Sequence, residues 1–198
     1  MEIYLLLTTF AILIWQILME KGKHIMDLFH FCPVCGSADF IVNNEKSKRC
    51  LQCGFVYYLN PSAATVAVIL NEKKELLVVR RAKNPAKGTL DLPGGFSDCD
   101  ETSEEGVCRE VMEETGLKVE KLEFLFSLPN LYMYSGLQIH TIDMFYLCHV
   151  KDTKKAKADD DAAELMWIPW NEIRPETFGL GSIRQGIEKL LMKKIIIK

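Results

Sequence analysis

Residues Gly95 to Leu117 read Gly-Phe-Ser-Asp-Cys-Asp-Glu-Thr-Ser-Glu-Glu-Gly-Val-Cys-Arg-Glu-Val-Met-Glu-Glu-Thr-Gly-Leu. Glu110, Glu113 and Glu114 stand three and four residues apart, the spacing that sets side chains beside one another on a helix. Like charges stacked in this way weaken an isolated helix by about a few tenths of a kcal/mol per pair. A ligand must therefore offset the repulsion, and hard divalent cations with phosphate oxygens are the natural candidates.

Local signals place the helix. Thr102 followed by Glu105 forms a capping-box pattern, so a helix starts near Ser103. Gly116 occupies the position of a left-handed residue that ends it after Thr115. Cys108, Val111 and Met112 are the expected buried stripe, with Val107 at its edge. Upstream, Leu90-Asp91-Leu92-Pro93-Gly94-Gly95-Phe96 reads as a short strand running into a glycine loop. A backbone without Cβ atoms can come close to a metal or a phosphate.

The stretch resembles the Nudix box, G-x5-E-x7-R-E-U-x-E-E-x-G-U with U apolar. Gly95, Glu101, Arg109, Glu110, Val111, Glu113, Glu114, Gly116 and Leu117 fill every defined position. The resemblance implies an α/β fold, the Nudix α/β/α sandwich with a mixed sheet. It also implies a metal-dependent pyrophosphohydrolase using Mg²⁺ or Mn²⁺. By position, Glu110 and Glu114 would be the main ligands, with Glu113 assisting and the Gly94 carbonyl adding a further oxygen. Arg109 would pair with Glu101 and hold the loop against the helix. The general base varies in position across similar proteins. Glu110 is one option, and a later loop holding Asp159, Asp160, Asp161 and Glu164 is another, with Glu164 favoured there because an Asp run is usually solvated surface.

A second pattern lies upstream, Cys32-Pro33-Val34-Cys35 and Cys50-Leu51-Gln52-Cys53. The C-x2-C-x14-C-x2-C spacing reads as a closed tetrahedral Zn²⁺ site, structural rather than catalytic. Gly36 and Gly54 each follow the second cysteine of a pair and suit a tight knuckle turn. Phe40–Val42 and Phe55–Tyr58 are expected strands of a small zinc ribbon covering 29–58, with 61–198 forming the larger domain. Cys99, Cys108 and Cys148 have no metal spacing, and scattered unpaired thiols point to a reducing, cytoplasmic compartment. A zinc ribbon ahead of a Nudix domain is similar to the NADH pyrophosphatase branch. Ser127 and Pro129 echo that branch's S-Q-P-W-P-F-P-x-S motif, whose Trp-Pro-Phe-Pro core is absent here. Tyr132 and Tyr134 alternate, share one face of an expected strand and are candidate stacking partners for a nucleotide base.

The remaining pattern is coarse. Thr65–Leu70 and Glu75–Arg80 bracket Asn71–Lys74 as an expected hairpin. Strands are expected at 119–127, 130–134 and 138–150, with a turn at Ser135-Gly136. Residues 157–163 read as an acidic loop, and an amphipathic helix runs over 182–192. Across 198 residues the formal charge is −3, and no basic stripe exists to neutralise nucleic-acid phosphates. Residues 3–19 carry no charge and span about 26 Å as a helix. The apolar segment 1–25 is therefore a short membrane anchor with the catalytic body facing the cytoplasm, a docking helix, or an extension upstream of a start at Met26. Two functions stand: an enzyme acting on a nucleoside diphosphate linked to another moiety, and a nucleotide-sensing module with the ribbon as its interaction element. Dimers are common in similar proteins, so a homodimer is an expectation as well.

Overall fold

The computed structural model describes residues 23–157 and 162–193. The anchor question, Asp159, Asp160, Asp161 and most of the acidic segment fall outside them. Among the described residues no helix is long and apolar enough to cross a membrane. The chain divides into two compact units, one holding residues up to Asn60 with Met133–Ile139, the other Pro61–Tyr132 with the chain from His140 onward.

The smaller unit holds β1 (Lys23–His24), α1 (Ile25–Leu28) and a three-stranded antiparallel ribbon of β2 (Phe40–Asn44), β3 (Ser47–Cys50) and β4 (Val56–Tyr58). The central strand β3 was not visible in the sequence, because Ser47, Lys48 and Arg49 have weak strand propensity. Pairing with both neighbours makes it a strand. The ribbon's small core is Cys32, Phe40 and Cys50 with Phe29, Phe55 and Tyr57 packed on it.

The larger unit holds β5 (Ser62–Val68), β6 (Glu75–Arg81), β7 (Leu90–Asp91), α2 (Ser103–Thr115), β8 (Val119–Tyr134) up to Tyr132, β9 (Leu137–Val150) from His140, β10 (Ala162–Pro169) and α3 (Gly181–Lys193). The turn at Ser135-Gly136 is present, with both residues at positive φ. The break expected between 127 and 130 is absent, and β8 runs through Pro129. β10 begins at Ala162, inside the segment expected to be loop, because it pairs antiparallel with β6.

β5 and β6 are not one hairpin. Their turn closes at the Leu70–Leu76 bridge, and the Asn71 side chain accepts N–H groups from Lys73 and Glu75. Beyond it the strands part. β5 runs parallel to β9, while β6 lies between β10 and β7. Burial on both faces explains this. Val66, Val68, Leu76 and Val78 enter one core, covered by Ile183, Ile187 and Leu190 of α3. Ala67, Ile69 and Leu77 enter a second core, covered by Val107 and Val111 of α2. Strands buried on both faces, with a helix over each core, make the α/β sandwich.

The stripe of α2 is rotated from the expected one. Val107, Val111 and Thr115 are buried with Gly106, Cys108 is half-buried, and Met112 is exposed. Spacings of four set Val107, Val111 and Thr115 in one row. Thr115 can join it because its hydroxyl donates to the Val111 carbonyl.

Candidate active site and cysteine centre

The helix that carries the glutamates is fixed at both ends by its own sequence. Thr102 Oγ1 accepts from the Glu105 N–H at 3.2 Å, and the Glu105 carboxylate accepts from the Thr102 N–H at 2.8 Å. Gly116 closes the other end at φ 68°. Such caps contribute about 1 kcal/mol each.

The glycine loop lies against β5. Thr65 and Ala67 donate their N–H groups to the carbonyls of Gly95 and Pro93, at 2.8 and 2.7 Å. Gly94 sits at φ 146°, and a Cβ there would overlap the Thr65 carbonyl. A Cβ on Gly95 would stand 2.6 Å from Glu110 Oε1. Bare backbone is therefore required toward the strand at Gly94, while at Gly95 it leaves room for the Glu110 carboxylate.

Across this loop the three glutamates differ. Glu114 Oε2 accepts from the Gly94 N–H at 3.0 Å. Glu110 faces Gly95 with a side chain 15% exposed. Burial raises its pKa above the usual carboxylate value, opposed by hydrogen bonding and charge from Arg109. Glu113 is exposed. Arg109 ties the group together. It grips Glu101 through Nη2 at 2.7 Å and Nε at 3.1 Å, while its Nη1 reaches Glu110 at 2.9 Å and Glu113 at 3.0 Å. Its Nη2 also donates to the Phe96 carbonyl at 3.1 Å. The hydrogen bond to Glu101 leads the causes that raise the Arg109 pKa, and the same contact lowers that of Glu101. Arg109 thus stands between Glu110 and Glu113, and these acids are not drawn into one tight ligand set. Their hard oxygens beside a Cβ-free loop suit Mg²⁺ or Mn²⁺ better than a soft metal.

Beyond the loop a cleft opens. Gly94, Gly95, Phe96, Tyr132, Arg81 and Asp91 are among its lining residues. Tyr132 and Phe96 meet edge to face, with centroids 5.5 Å apart. Arg81 and Asp91 form a buried ion pair with no signal in the sequence, because the two strands that carry them pair only in the folded sheet. Tyr134 is exposed and belongs to the smaller unit. Glu164 lies on β10, where it binds Arg80 Nε at 3.1 Å, and it is not among the cleft residues.

In the smaller unit Cys32, Cys35, Cys50 and Cys53 bring their sulfurs within 4.8 Å of one another, the one such group of potential ligands among the described residues. The Cys32–Cys53 and Cys35–Cys50 separations are 3.7 and 3.6 Å, without disulfides. A tetrahedron of ~2.3 Å Zn–S bonds has edges of about 3.8 Å. The two knuckles are built alike. The Cys32 carbonyl accepts from Gly36 N–H and the Cys50 carbonyl from Gly54 N–H, each glycine at positive φ. The four sulfurs fit Zn²⁺ and leave no position for substrate.

Residues 60–188 match the NUDIX domain, and the chain belongs to the NUDIX family. It is 38% identical over 118 residues to the ADP-ribose pyrophosphatase of Methanocaldococcus jannaschii, across 59% of this chain and 66% of that protein. It is 29% identical over 175 residues to the NAD-capped RNA hydrolase NudC of Vibrio parahaemolyticus, across 87% of this chain and 63% of that protein. A third or more of each relative thus lies outside the match. Among solved structures, a NUDIX hydrolase from Nitrosomonas europaea superposes with TM-score 0.65 at 21% identity, over 83% of this chain and 91% of that one. The NUDIX domain of Shewanella oneidensis NrtR, complexed with ADP ribose, does so with TM-score 0.56 at 21% identity, over 68% and 89%. These two likenesses establish the fold.

Proposed function

We propose that the chain is a metal-dependent pyrophosphohydrolase that cleaves the phosphoanhydride of a nucleoside diphosphate joined to a second moiety. The observation that carries this reading is the Gly94 N–H bonded to Glu114, in a bare loop that also faces Glu110 and opens into the cleft. The two relatives named above support it, since ADP-ribose and an NAD cap are both nucleoside diphosphate derivatives.

Glu110 and Glu114 would hold Mg²⁺ or Mn²⁺, with Glu113 and the Gly94 carbonyl assisting. Held there, such a metal would supply charge neutralisation for the diphosphate and a more acidic water for in-line attack on phosphorus. Glu101 anchors Arg109, and Arg109 fixes the loop against α2. Glu110 would be one option for the base that accepts the proton of the attacking water. Glu164, held by Arg80, keeps a structural role in this reading. Tyr132 lines the cleft and is the aromatic that would meet the substrate. The cysteine centre would hold Zn²⁺ and supply the smaller unit with stability that its few core residues cannot.

The test is mononucleotide release from ADP-ribose, NADH, dinucleoside polyphosphates and sugar nucleotides, with Mg²⁺ and Mn²⁺ compared. Turnover lost in Glu114→Gln supports the proposal. Tight nucleotide binding without turnover in the wild type would replace it with the sensor reading.

A further inference from the structure

We propose that Arg81 is a positioning residue for substrate recognition. Held by Asp91, it turns the Tyr132 hydroxyl so that its proton meets an acceptor atom on an aromatic ring of the substrate seated in the cleft. This rests on the reading above and names which part of the substrate enters the cleft.

The donors of Arg81 are directed. Its Nε donates to the Pro85 carbonyl at 2.7 Å, its Nη1 to Asp91, and its Nη2 to the Tyr132 oxygen at 3.1 Å. The Arg81 and Asp91 side chains are 15% and 8% exposed. Asp91 is held in turn by the Leu92 N–H at 2.8 Å. A phenol has one proton. With its oxygen accepting from Arg81, that proton is free to point elsewhere, and the ring carrying it is braced edge-on by Phe96.

Charge decides what the cleft accepts. Arg81 is matched by Asp91. Asp143, also buried in the lining, accepts from Thr141 at 2.5 Å, Ser182 at 2.5 Å and Asn130 at 3.1 Å, and has no cationic partner among the described residues. The lining thus sets one basic side chain, already paired, against two acidic ones and offers no unpaired cation to a phosphate. Aromatic walls and a phenolic donor suit a planar heterocycle with a ring nitrogen or carbonyl acceptor. Thr65 adds a second observation. It lines the same cleft, is 2% exposed, and its hydroxyl has no hydrogen-bond partner. The phosphates then lie over the glycine loop toward the glutamates, and the ring lies inward.

The experiment compares AMP with ribose 5-phosphate, which lacks the ring, by calorimetric titration of wild type, Tyr132→Phe, Arg81→Lys and the double variant. Wild type is expected to bind AMP at least tenfold more tightly. Tyr132→Phe is expected to weaken AMP about tenfold, the worth of one hydrogen bond to a ligand, and to leave ribose 5-phosphate unchanged. Arg81→Lys should lose the same selectivity, and the double variant should lose no more than Tyr132→Phe alone. On ADP-ribose the loss in kcat/KM should be carried by KM. Equal weakening of both ligands, or additive losses in the double variant, would overturn the positioning role. Tyr132→Phe keeps every apolar contact, so it decides the matter even if Arg81→Lys does not fold. If wild type turns over with a Glu114 requirement while Tyr132→Phe is neutral, this inference alone fails. If no turnover depends on Glu114, the functional reading fails with it.

Discussion

Gly94 donates its backbone N–H to Glu114 Oε2 across 3.0 Å, joining the loop after β7 to the penultimate residue of α2. Gln at position 114 keeps an acceptor oxygen and removes the charge. Glu114→Gln is therefore expected to fold with a melting temperature within about 2 °C of wild type. Its kcat with Mg²⁺ should fall by about 100-fold or more. Circular dichroism and a phosphate-release assay measure the two effects separately.

The two loop glycines should fail in different ways. A methyl group at Gly94 meets the Thr65 carbonyl in a rigid strand and sits on a left-handed φ. Gly94→Ala is expected to cost about 2–4 kcal/mol, read as a shift in urea midpoint. At Gly95 the methyl meets a movable carboxylate instead. Gly95→Ala should fold, with Glu110 displaced and the Mn²⁺ concentration needed for half-maximal turnover raised.

Zinc in the smaller unit is open to direct assay. Atomic absorption should find about one zinc per chain. Cys50→Ser should abolish it, since Cys50 is buried at the centre of the ribbon core. A wild-type preparation that holds no zinc but two disulfides would remove the metal from this unit.

Acid should loosen the Arg109 clasp. Hydrogen bonds from Arg109 and from the Asp98 N–H hold the Glu101 carboxyl below its ordinary value of 4.5. A lowered carboxyl pKa adds stability that is complete above the unfolded value and lost as pH falls through the folded one. Unfolding midpoints should therefore drop more steeply for wild type than for Glu101→Gln between about pH 5 and pH 3. Parallel profiles for the two proteins would show that the clasp adds nothing to stability.

Much of the site was legible because its order is local. Thr102, Glu105 and Gly116 act on residues three or four positions away, so helix α2 and both of its ends follow from spacing alone. The register of its buried face was less legible. Met112 and Thr115 compete for burial, and the choice falls to Thr115 because the chain offers the Val111 carbonyl as a partner for its hydroxyl. The sequence offers Glu164 as a candidate base on a later loop, yet strand pairing opposite Arg80 supplies it with a cation 84 residues away in sequence.

The amino-acid order alone set the glutamate helix and the two cysteine knuckles, since each depends on contacts within a few residues. Folding decided the rest: that β5 and β6 part into different sheets, that Arg81 meets Asp91 and Tyr132, and that Asp143 is shared by Thr141, Ser182 and Asn130. Those pairings join strands and helices far apart in the chain. They are chosen by which faces can be buried together, a property of the assembled sheets that no local pattern encodes.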